Sequence, residues 1–127
     1  MAEGLIGLRI YQLAEELADE IWAEVMTWNV FARNTVGRQL VEASDSIGGN
    51  IAEGYGRYHY KDNRQFQFYA RGSLQETGHW LRRAVQRKLI SESRYSHLMG
   101  KVSELAPQLN AYVRTLDRKA TQERSKR

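Results

Sequence analysis

Two sets of residues in this sequence have the types and spacing needed for acid–base or metal chemistry. Glu76 and His79, in "ETGH", form an E-x-x-H motif, which is half of the di-iron carboxylate signature of helical bundles. No second E-x-x-H occurs in the 127 residues. Glu53 and Glu76 could act as a general acid and base, but the spacing places no nucleophile beside them. A carboxylate-metal enzyme is therefore our third hypothesis, and we expect no catalytic residue, no metal site and no cofactor.

The stretch "GGNIAEGYGRYHY" contains four of the ten glycines and raises the question of phosphate binding. A phosphate loop requires G-x-x-x-x-G-K-[ST] or G-x-G-x-x-G between a strand and a helix, and neither pattern is present. We interpret Gly54 as the residue whose positive φ ends a helix. Gly48 and Gly49 would each cost a helix about 1 kcal/mol. They therefore predict close packing against a neighbouring helix, at Gly72 and Ser73.

A polar stripe follows the same helix and predicts a contact with the next one. The stripe consists of Ser46, Asn50, Glu53 and Arg57, which are spaced to share a helix face. On the following helix, Ser73 and Glu76 lie one turn apart. Side chains in this position could satisfy one another's hydrogen bonds across the helix pair. A ligand-binding or catalytic role for them stays open. The predicted structural network consists of Asn50, Glu53, Gly54, Gly72, Ser73 and Glu76.

Basic residues predominate from Arg57 onward, whereas the first part of the chain is acidic, and the formal net charge is +4. Tyrosines and phenylalanines alternate with several of the cations. Cations that neutralise phosphates, beside rings that stack on bases, predict nucleic-acid binding without sequence specificity. The alternatives are a solvated face, or assembly of copies through the acidic face of the first helix and the basic face of the third. The predicted nucleic-acid-binding residues are Arg57, Lys61, Arg64, Arg82, Arg83 and Arg87.

Four segments with helical periodicity must position these residues. The first begins at Ile10, and the second follows Thr35, its predicted N-cap, and ends near Gly54. Asp62 is the predicted cap of the third, which continues to about Lys88 with Phe66, Tyr69 and Trp80 near its apolar face. Ser91 or Ser93 caps the fourth. Short links between them predict an all-α fold, an antiparallel up-down-up-down four-helix bundle.

The boundaries of this bundle follow from where the apolar periodicity stops. We expect one domain over residues 1–117 and a basic, disordered tail over 118–127, which has no apolar face. The sequence has no cysteine, which excludes disulfides and thiolate metal ligands. It has no apolar run long enough to span a bilayer and no signal peptide pattern. We therefore expect a cytoplasmic protein without membrane contact.

Two long motifs resemble a known family. "RQLVEASDSIGGNIAEGYGR" and "FQFYARGSLQETGHWL" are similar to the four-helix-bundle proteins encoded in intervening sequences of bacterial 23S ribosomal RNA genes. The characteristic residues of that family correspond here to Asn50, Glu53, Gly54, Gly72, Ser73 and Glu76. Glu42 departs from the pattern, because relatives often have a basic residue there. The resemblance implies an antiparallel bundle that assembles into a ring, a homopentamer, with no established enzymatic activity.

The resemblance also bears on the partners. Members of the family are suspected of binding RNA or other nucleic acid, and related bundles that accompany diversity-generating retroelements bind a reverse transcriptase. Our leading hypothesis is a non-enzymatic, homo-oligomeric bundle that binds nucleic acid, RNA in particular, through its basic residues. The alternative is an oligomeric scaffold for a protein partner, with the charges used for ring assembly.

Overall fold

The computed structural model describes residues 4–126, and four helices contain most of them. A 3-10 turn precedes them at Gly4–Gly7. The four helices are α1 at Arg9–Val25, α2 at Val30–Ala32, Arg33–Gly37 and Arg38–Tyr55, α3 at Tyr60–Gln86 and α4 at Glu92–Ser125. The described residues form no strand. The predicted all-α class is confirmed.

The contacts between helices show an antiparallel order. Each helix packs on the next, and α1 also packs on α4, which closes the bundle. Residue numbers that rise along α1 meet falling numbers on α4, since Glu16 pairs with Lys101 while Glu24 pairs with Arg94. Links of a few residues force this arrangement, because they allow each helix only to reverse beside its predecessor.

Apolar side chains from all four helices fill the centre of the bundle. The spacing of i, i+3, i+4 and i+7 places them on one face of each helix, which turns inward. Burying such side chains is the main favourable term in folding. None of the helices within the described residues is long and apolar enough to cross a bilayer. The largest fully buried apolar residues are Leu17, Ile21, Leu40, Ile47, Ile51, Leu81, Leu98, Leu105 and Leu109.

The start of α2 differs from the prediction. Asn29, not Thr35, is its N-cap, and the Asn29 side chain accepts a hydrogen bond of 3.0 Å from the amide of Ala32. Thr35 lies in a π-helical turn, Arg33–Gly37, and donates its hydroxyl hydrogen to the Phe31 carbonyl. A threonine hydroxyl can bond to a preceding carbonyl within a helix, so the same residue type occurs in a helix interior.

The end of α2 corrects the interpretation of Gly54. The helix continues to Tyr55, and Gly56 is its C-cap with a φ of −78°. Among the described glycines, Gly4 alone has a positive φ. Gly54 is therefore a buried helical residue, and its lack of a side chain serves packing, not chain reversal.

The predicted close approach of Gly48 and Gly49 to α3 is wrong. A Cβ on Gly49 would meet nothing within 4 Å, and one on Gly48 would make ordinary contacts of 3.8 Å with Ala14 and Tyr11. Both glycines instead line an open groove between α1 and α2.

The predicted disordered tail, residues 118–127, is helical as far as Ser125, and Arg127 lies outside the described residues. Contacts with the start of α3 hold this extension in place. Glu123 contacts His59, and the Lys119 ammonium lies 5.4 Å from the centre of the Tyr60 ring. The prediction assumed that a segment needs an apolar face to pack on the bundle. Here polar contacts hold the segment against the start of α3 instead.

Candidate functional site

The cations predicted to bind nucleic acid form two groups at opposite ends of the bundle. The N-terminal cation group is Arg57, in the link before α3, with Lys61 and Arg64 in its first turns. The C-terminal cation group is Arg82 and Arg83, near the end of α3, with Arg87, its C-cap. With a rise of about 1.5 Å per residue, Lys61 and Arg82 lie about 30 Å apart along the helix. The six predicted nucleic-acid-binding residues therefore form two separate groups and not one continuous surface.

Acidic side chains neutralise most of the N-terminal cation group. Arg57 Nη2 donates to Glu53 Oε2 at 3.0 Å, and Arg64 Nη1 donates to Asp117 Oδ1 at 2.7 Å. Lys61 is exposed and has no ion pair within residues 4–126. A phosphate that approaches this group thus meets one free cation and two arginines that already have carboxylate partners.

Aromatic rings surround the same group, and two of them already have cationic partners. The Arg57 guanidinium lies 4.6 Å from the centre of the Phe66 ring, and Lys119 lies 5.4 Å from that of Tyr60. Tyr58 is 91% exposed. Its ring is the one at this end with the most surface free to stack on a base.

The end of α4 completes this end of the bundle. Glu123 Oε1 lies 2.7 Å from His59 Nδ1, and Glu123 Oε2 accepts a bond of 3.4 Å from the Tyr60 amide. Because an ionised carboxylate only accepts, Nδ1 carries the hydrogen. A hollow of about 260 Å³ lies beside them, and Lys61 and Arg124 contribute to its wall. The carboxylate occupies the end of α3 where the helix dipole favours an anion.

The C-terminal cation group has no acidic partner within the described residues. Arg82 and Arg87 are exposed, and Arg83 Nη1 donates to the neutral amide oxygen of Gln86 at 2.7 Å. Lys88 follows directly, with a φ of 61° that turns the chain away from α3. Four neighbouring cations at this end therefore have no carboxylate within the described residues that offsets their charge.

The predicted polar network between α2 and α3 does not form as one unit. Ser73 is its member that bonds across the helix pair, and it accepts a 2.6 Å bond from the Ser46 hydroxyl. The Asn50 amide donates to the Ser46 carbonyl of its own helix. Gly72 and Glu76 are exposed. Glu53 pairs with Arg57, as described above, so the predicted set divides into separate local contacts.

The polar contact that joins these helices in the core was not predicted. Gln67 is fully buried and donates to the Ile51 carbonyl at 3.3 Å and to Asn63 Oδ1 at 2.8 Å. The Asn63 amide donates to the Tyr112 hydroxyl at 3.1 Å. Burial raises the pKa of the Tyr112 phenol, although the bond from Asn63 opposes this rise. Gly54 lies directly against these two amide side chains.

A sequence signal for this cluster existed. The buried positions of α3 follow alternating steps of four and three residues, and the two amides occupy the first two of these positions. The prediction relied on large apolar and aromatic residues and therefore placed Tyr69 near the inner face. In the structure Tyr69 lies on the outer side of α3 and is 51% exposed. The complete buried set is Asn63, Gln67, Ala70, Leu74, Thr77, Leu81 and Ala84.

Acidic side chains of α1 pair with α4 in the same chain, along what we call the ionic seam. Glu20 accepts from Lys101 Nζ at 3.1 Å and lies 2.7 Å from His97 Nε2. Glu24 accepts from Arg94 at 3.4 Å. Burial opposes the charge of Glu20, but bonds from His97 and Lys101 lower its pKa below the ordinary value. Part of the acidic charge of α1 is thus paired with basic residues of α4 within one copy of the chain.

The E-x-x-H pair of the sequence lies on the surface of α3. Glu76 and His79 are both exposed. Within residues 4–126, no three histidine, aspartate or glutamate side chains come together in the way that a metal ion needs. This geometry provides no support for the carboxylate-metal hypothesis.

Comparison with known proteins places the chain in a family. Residues 7–111 match the 23S rRNA-intervening sequence protein family. The chain belongs to this family. The predicted resemblance is confirmed, and the match covers all of α1, α2 and α3 and more than half of α4. No curated protein matches the chain.

A solved structure has the same fold as this family member. It is a protein with unknown function from the S23 ribosomal protein family, from Bacteroides thetaiotaomicron VPI-5482. The TM-score is 0.74 and the sequence identity 20%, and the similarity covers 82% of this chain and 97% of the other. At this identity the similarity shows the fold alone.

Proposed function

We propose that this protein is a non-enzymatic, homo-oligomeric bundle that binds the sugar-phosphate backbone of nucleic acid, RNA in particular. The observation that carries the proposal is the absence, within the described residues, of any acidic partner for the C-terminal cation group and the adjacent Lys88. We assign the main contact to this group and a lesser contact to the N-terminal cation group.

The assignment rests on the energetics of phosphate binding. A cation without a carboxylate partner retains its full attraction for a phosphate, and its binding releases a counterion from the nucleic acid. An arginine that already bonds to a carboxylate, as Arg57 and Arg64 do, must share or break that bond. Each cation group contains three cations, but we expect the C-terminal cation group to contribute more to the binding free energy than the N-terminal cation group.

Salt titration of binding tests the proposal. The wild-type protein is titrated with a structured RNA hairpin and with duplex DNA at several salt concentrations. Each phosphate contact changes the slope of log K against log salt by about 0.9 for duplex DNA. Replacing Arg82, Arg83 and Arg87 together by glutamine should reduce the slope by up to about 3 and weaken binding at low salt.

The matched control replaces Arg57, Lys61 and Arg64 by glutamine, which removes the same formal charge. We expect it to reduce the slope by about 1, because Lys61 is the free cation of that group. Circular dichroism checks that both variants remain folded. Absence of binding by the wild type at low salt refutes the nucleic-acid function, and equal slopes for the two variants refute the assignment to the C-terminal cation group.

The second candidate function is an oligomeric scaffold for a protein partner. The observation that favours it is a group of large apolar side chains left exposed where α1 and α2 meet, which includes Trp22, Met26 and Phe31. Exposed apolar side chains that form a continuous patch typically mark interaction surfaces. Retention of a partner by the wild type, with no nucleic-acid binding at low salt, would favour this candidate.

A further inference from the structure

The last part of α4 lies against the start of α3 but takes no part in the core. Leu116 is the last buried residue of this helix. We call residues 117–125, which follow it, the C-terminal extension. The family match ends earlier, at residue 111. The extension therefore lies outside the matched part of the bundle, and residues other than those of the core must hold it in place.

Two carboxylates make most of the contacts between the extension and α3. Asp117 Oδ1 accepts from Arg64 Nη1 at 2.7 Å. Glu123 lies 2.7 Å from His59 Nδ1 and accepts a bond of 3.4 Å from the Tyr60 amide. The four charged or ionisable side chains of the two pairs keep between 28% and 49% of their surface exposed. Water and ions therefore reach every one of these contacts.

Contacts of this kind hold the end of a helix only weakly. Exposed ion pairs add little stability, because water and salt screen them. The other contact is that of Lys119 with the Tyr60 ring, at 5.4 Å. None of residues 117–125, all of which the structure describes, is buried. Segments with few buried contacts open locally at a small cost in free energy, so the extension can leave α3 while the bundle remains folded.

In its observed position the extension places negative charge among the N-terminal cation group. Asp117 occupies Arg64, as described above. Glu123 belongs to the wall of the hollow of about 260 Å³ that Lys61 and Arg64 also line. A phosphate that these cations attract is repelled by both carboxylates. When the extension leaves α3, Arg64 loses its carboxylate partner and both negative charges move away.

The extension and the residues after it are themselves basic. Residues 117–127 contain five lysines and arginines but only two acidic residues. A released segment of this charge is attracted to a polyanion and adds cations that follow its backbone. Release therefore changes this end of the protein in two ways, by exposing the N-terminal cation group and by supplying a basic arm.

We propose that the C-terminal extension is an autoinhibitory latch, which keeps nucleic acid from the N-terminal cation group while it lies on α3 and opens that group when it is released. The C-terminal cation group, about 30 Å away along α3, binds in both positions of the latch. A nucleic acid held there and lying along α3 brings further phosphates to Arg64, where they compete with Asp117. The proposal rests on the nucleic-acid part of the proposed function and adds the regulation of its second site.

Locking the latch by a crosslink tests the proposal without a change of charge. The chain has no cysteine, so His59→Cys and Glu123→Cys introduce the two thiols needed. The same chain carries Arg82→Gln, Arg83→Gln and Arg87→Gln, so that binding reports the N-terminal cation group. A neutral bismaleimide joins the thiols and locks the latch, whereas N-ethylmaleimide caps each thiol and leaves it free. The locked form should bind an RNA hairpin at low salt about fivefold more weakly than the capped form, with a slope of log K against log salt smaller by about 1.

Releasing the latch by neutral substitutions gives the converse test. In the background with glutamine at 82, 83 and 87, Asp117→Asn and Glu123→Gln should strengthen binding at low salt about fivefold, because Arg64 becomes free. The matched control is Glu42→Gln with Glu76→Gln, which removes the same formal charge. Both of these glutamates are exposed and have no ion pair within residues 4–126. The control should change the affinity by less than about twofold.

Hydrogen exchange without nucleic acid tests the movement itself. In the chain with Asp117→Asn and Glu123→Gln, amides of residues 118–125 should exchange faster than in the wild type, while those of the buried part of α3 should not change. Unaltered exchange, equal binding by the locked and capped forms, or a released variant that binds like its control overturns the latch and leaves the C-terminal cation group as the site. Absence of binding by the wild type at low salt overturns the nucleic-acid function and the inhibitory role with it.

Discussion

Gly54 and Gly49 belong to the same short motif and the same helix, yet their surroundings are opposite. A Cβ on Gly54 would lie 2.6 Å from Asn63 Oδ1 and 2.6 Å from Gln67 Nε2. A Cβ on Gly49 would meet nothing within 4 Å. Gly54 allows α2 to approach α3 inside one chain, whereas Gly49 leaves the α1–α2 groove open to solvent. The comparison teaches that a glycine inside a helix marks a close approach at one position and an open surface at another, and that the sequence does not distinguish the two.

Substitution of Gly54 should give the largest effect on stability. Gly54→Ala places a methyl group against Asn63 and Gln67, which are buried and hydrogen-bonded and so cannot move freely. Overpacking of this kind costs about 1–3 kcal/mol, which outweighs the helix propensity gained from alanine. Urea denaturation measures the change. Unaltered stability would show that the contact is loose and would remove the contrast with Gly49.

Substitution of Gly49 should have the opposite sign. Gly49→Ala should stabilise the folded chain by about 0.5–1 kcal/mol, because alanine is the better helix former and meets no atom. Gly72→Ala should give a similar gain, since its Cβ is equally free. Denaturation at a protein concentration where the chain is monomeric measures both. A loss of stability in Gly49→Ala alone would reveal a contact inside the chain that contradicts the open groove.

The smallest effects extend the comparison to two carboxylates, Glu20 of α1, which faces α4, and Asp45 of α2, which faces Asp19 of α1. Glu20 is satisfied by α4, and its pKa is lowered; the pKa of Asp45 is raised by burial and by the charge of Asp19. A carboxylate whose pKa is lowered in the folded state stabilises the protein, and this stabilisation is lost as the pH falls through that pKa. A carboxylate whose pKa is raised in the folded state destabilises the protein while it is ionised, and this destabilisation is relieved as the pH falls. Glu20→Gln should therefore destabilise the protein at neutral pH, by about 0.2–1 kcal/mol for a partly exposed pair, and Asp45→Asn should stabilise it.

The pH dependence distinguishes these two carboxylates from a general effect of charge. The loss in Glu20→Gln should shrink as the pH falls below about 4.3, the ordinary value for glutamate. The gain in Asp45→Asn should shrink as the pH falls through the raised pKa toward about 3.9, the ordinary value for aspartate. Thermal melts from pH 7 to pH 3 measure both. Shifts of the same sign in the two variants would contradict the contrast between a paired carboxylate in the ionic seam and an unpaired one between α1 and α2.

The candidate site was predictable in its residue types but not in its grouping. The sequence indicates cations beside aromatic rings, and the structure contains them. It could not indicate that Asp117 neutralises Arg64, because these residues meet only when α4 packs against α3. For the same reason the continuation of α4 beyond Asp117 was missed, since polar contacts with His59 and Tyr60 hold that segment.

The sequence by itself determined the helical class, the number of main helices and their order in the bundle. Periodic apolar positions specify one inward face for each helix, and short links leave each helix one place to pack. The tertiary structure alone decided which neighbour each polar or small residue meets. Periodicity repeats along a helix and so carries no information about height or partner. For that reason Gly54 was assigned to a turn and Gly49 to a contact, while in the folded chain Gly54 makes the contact and Gly49 lines an open groove.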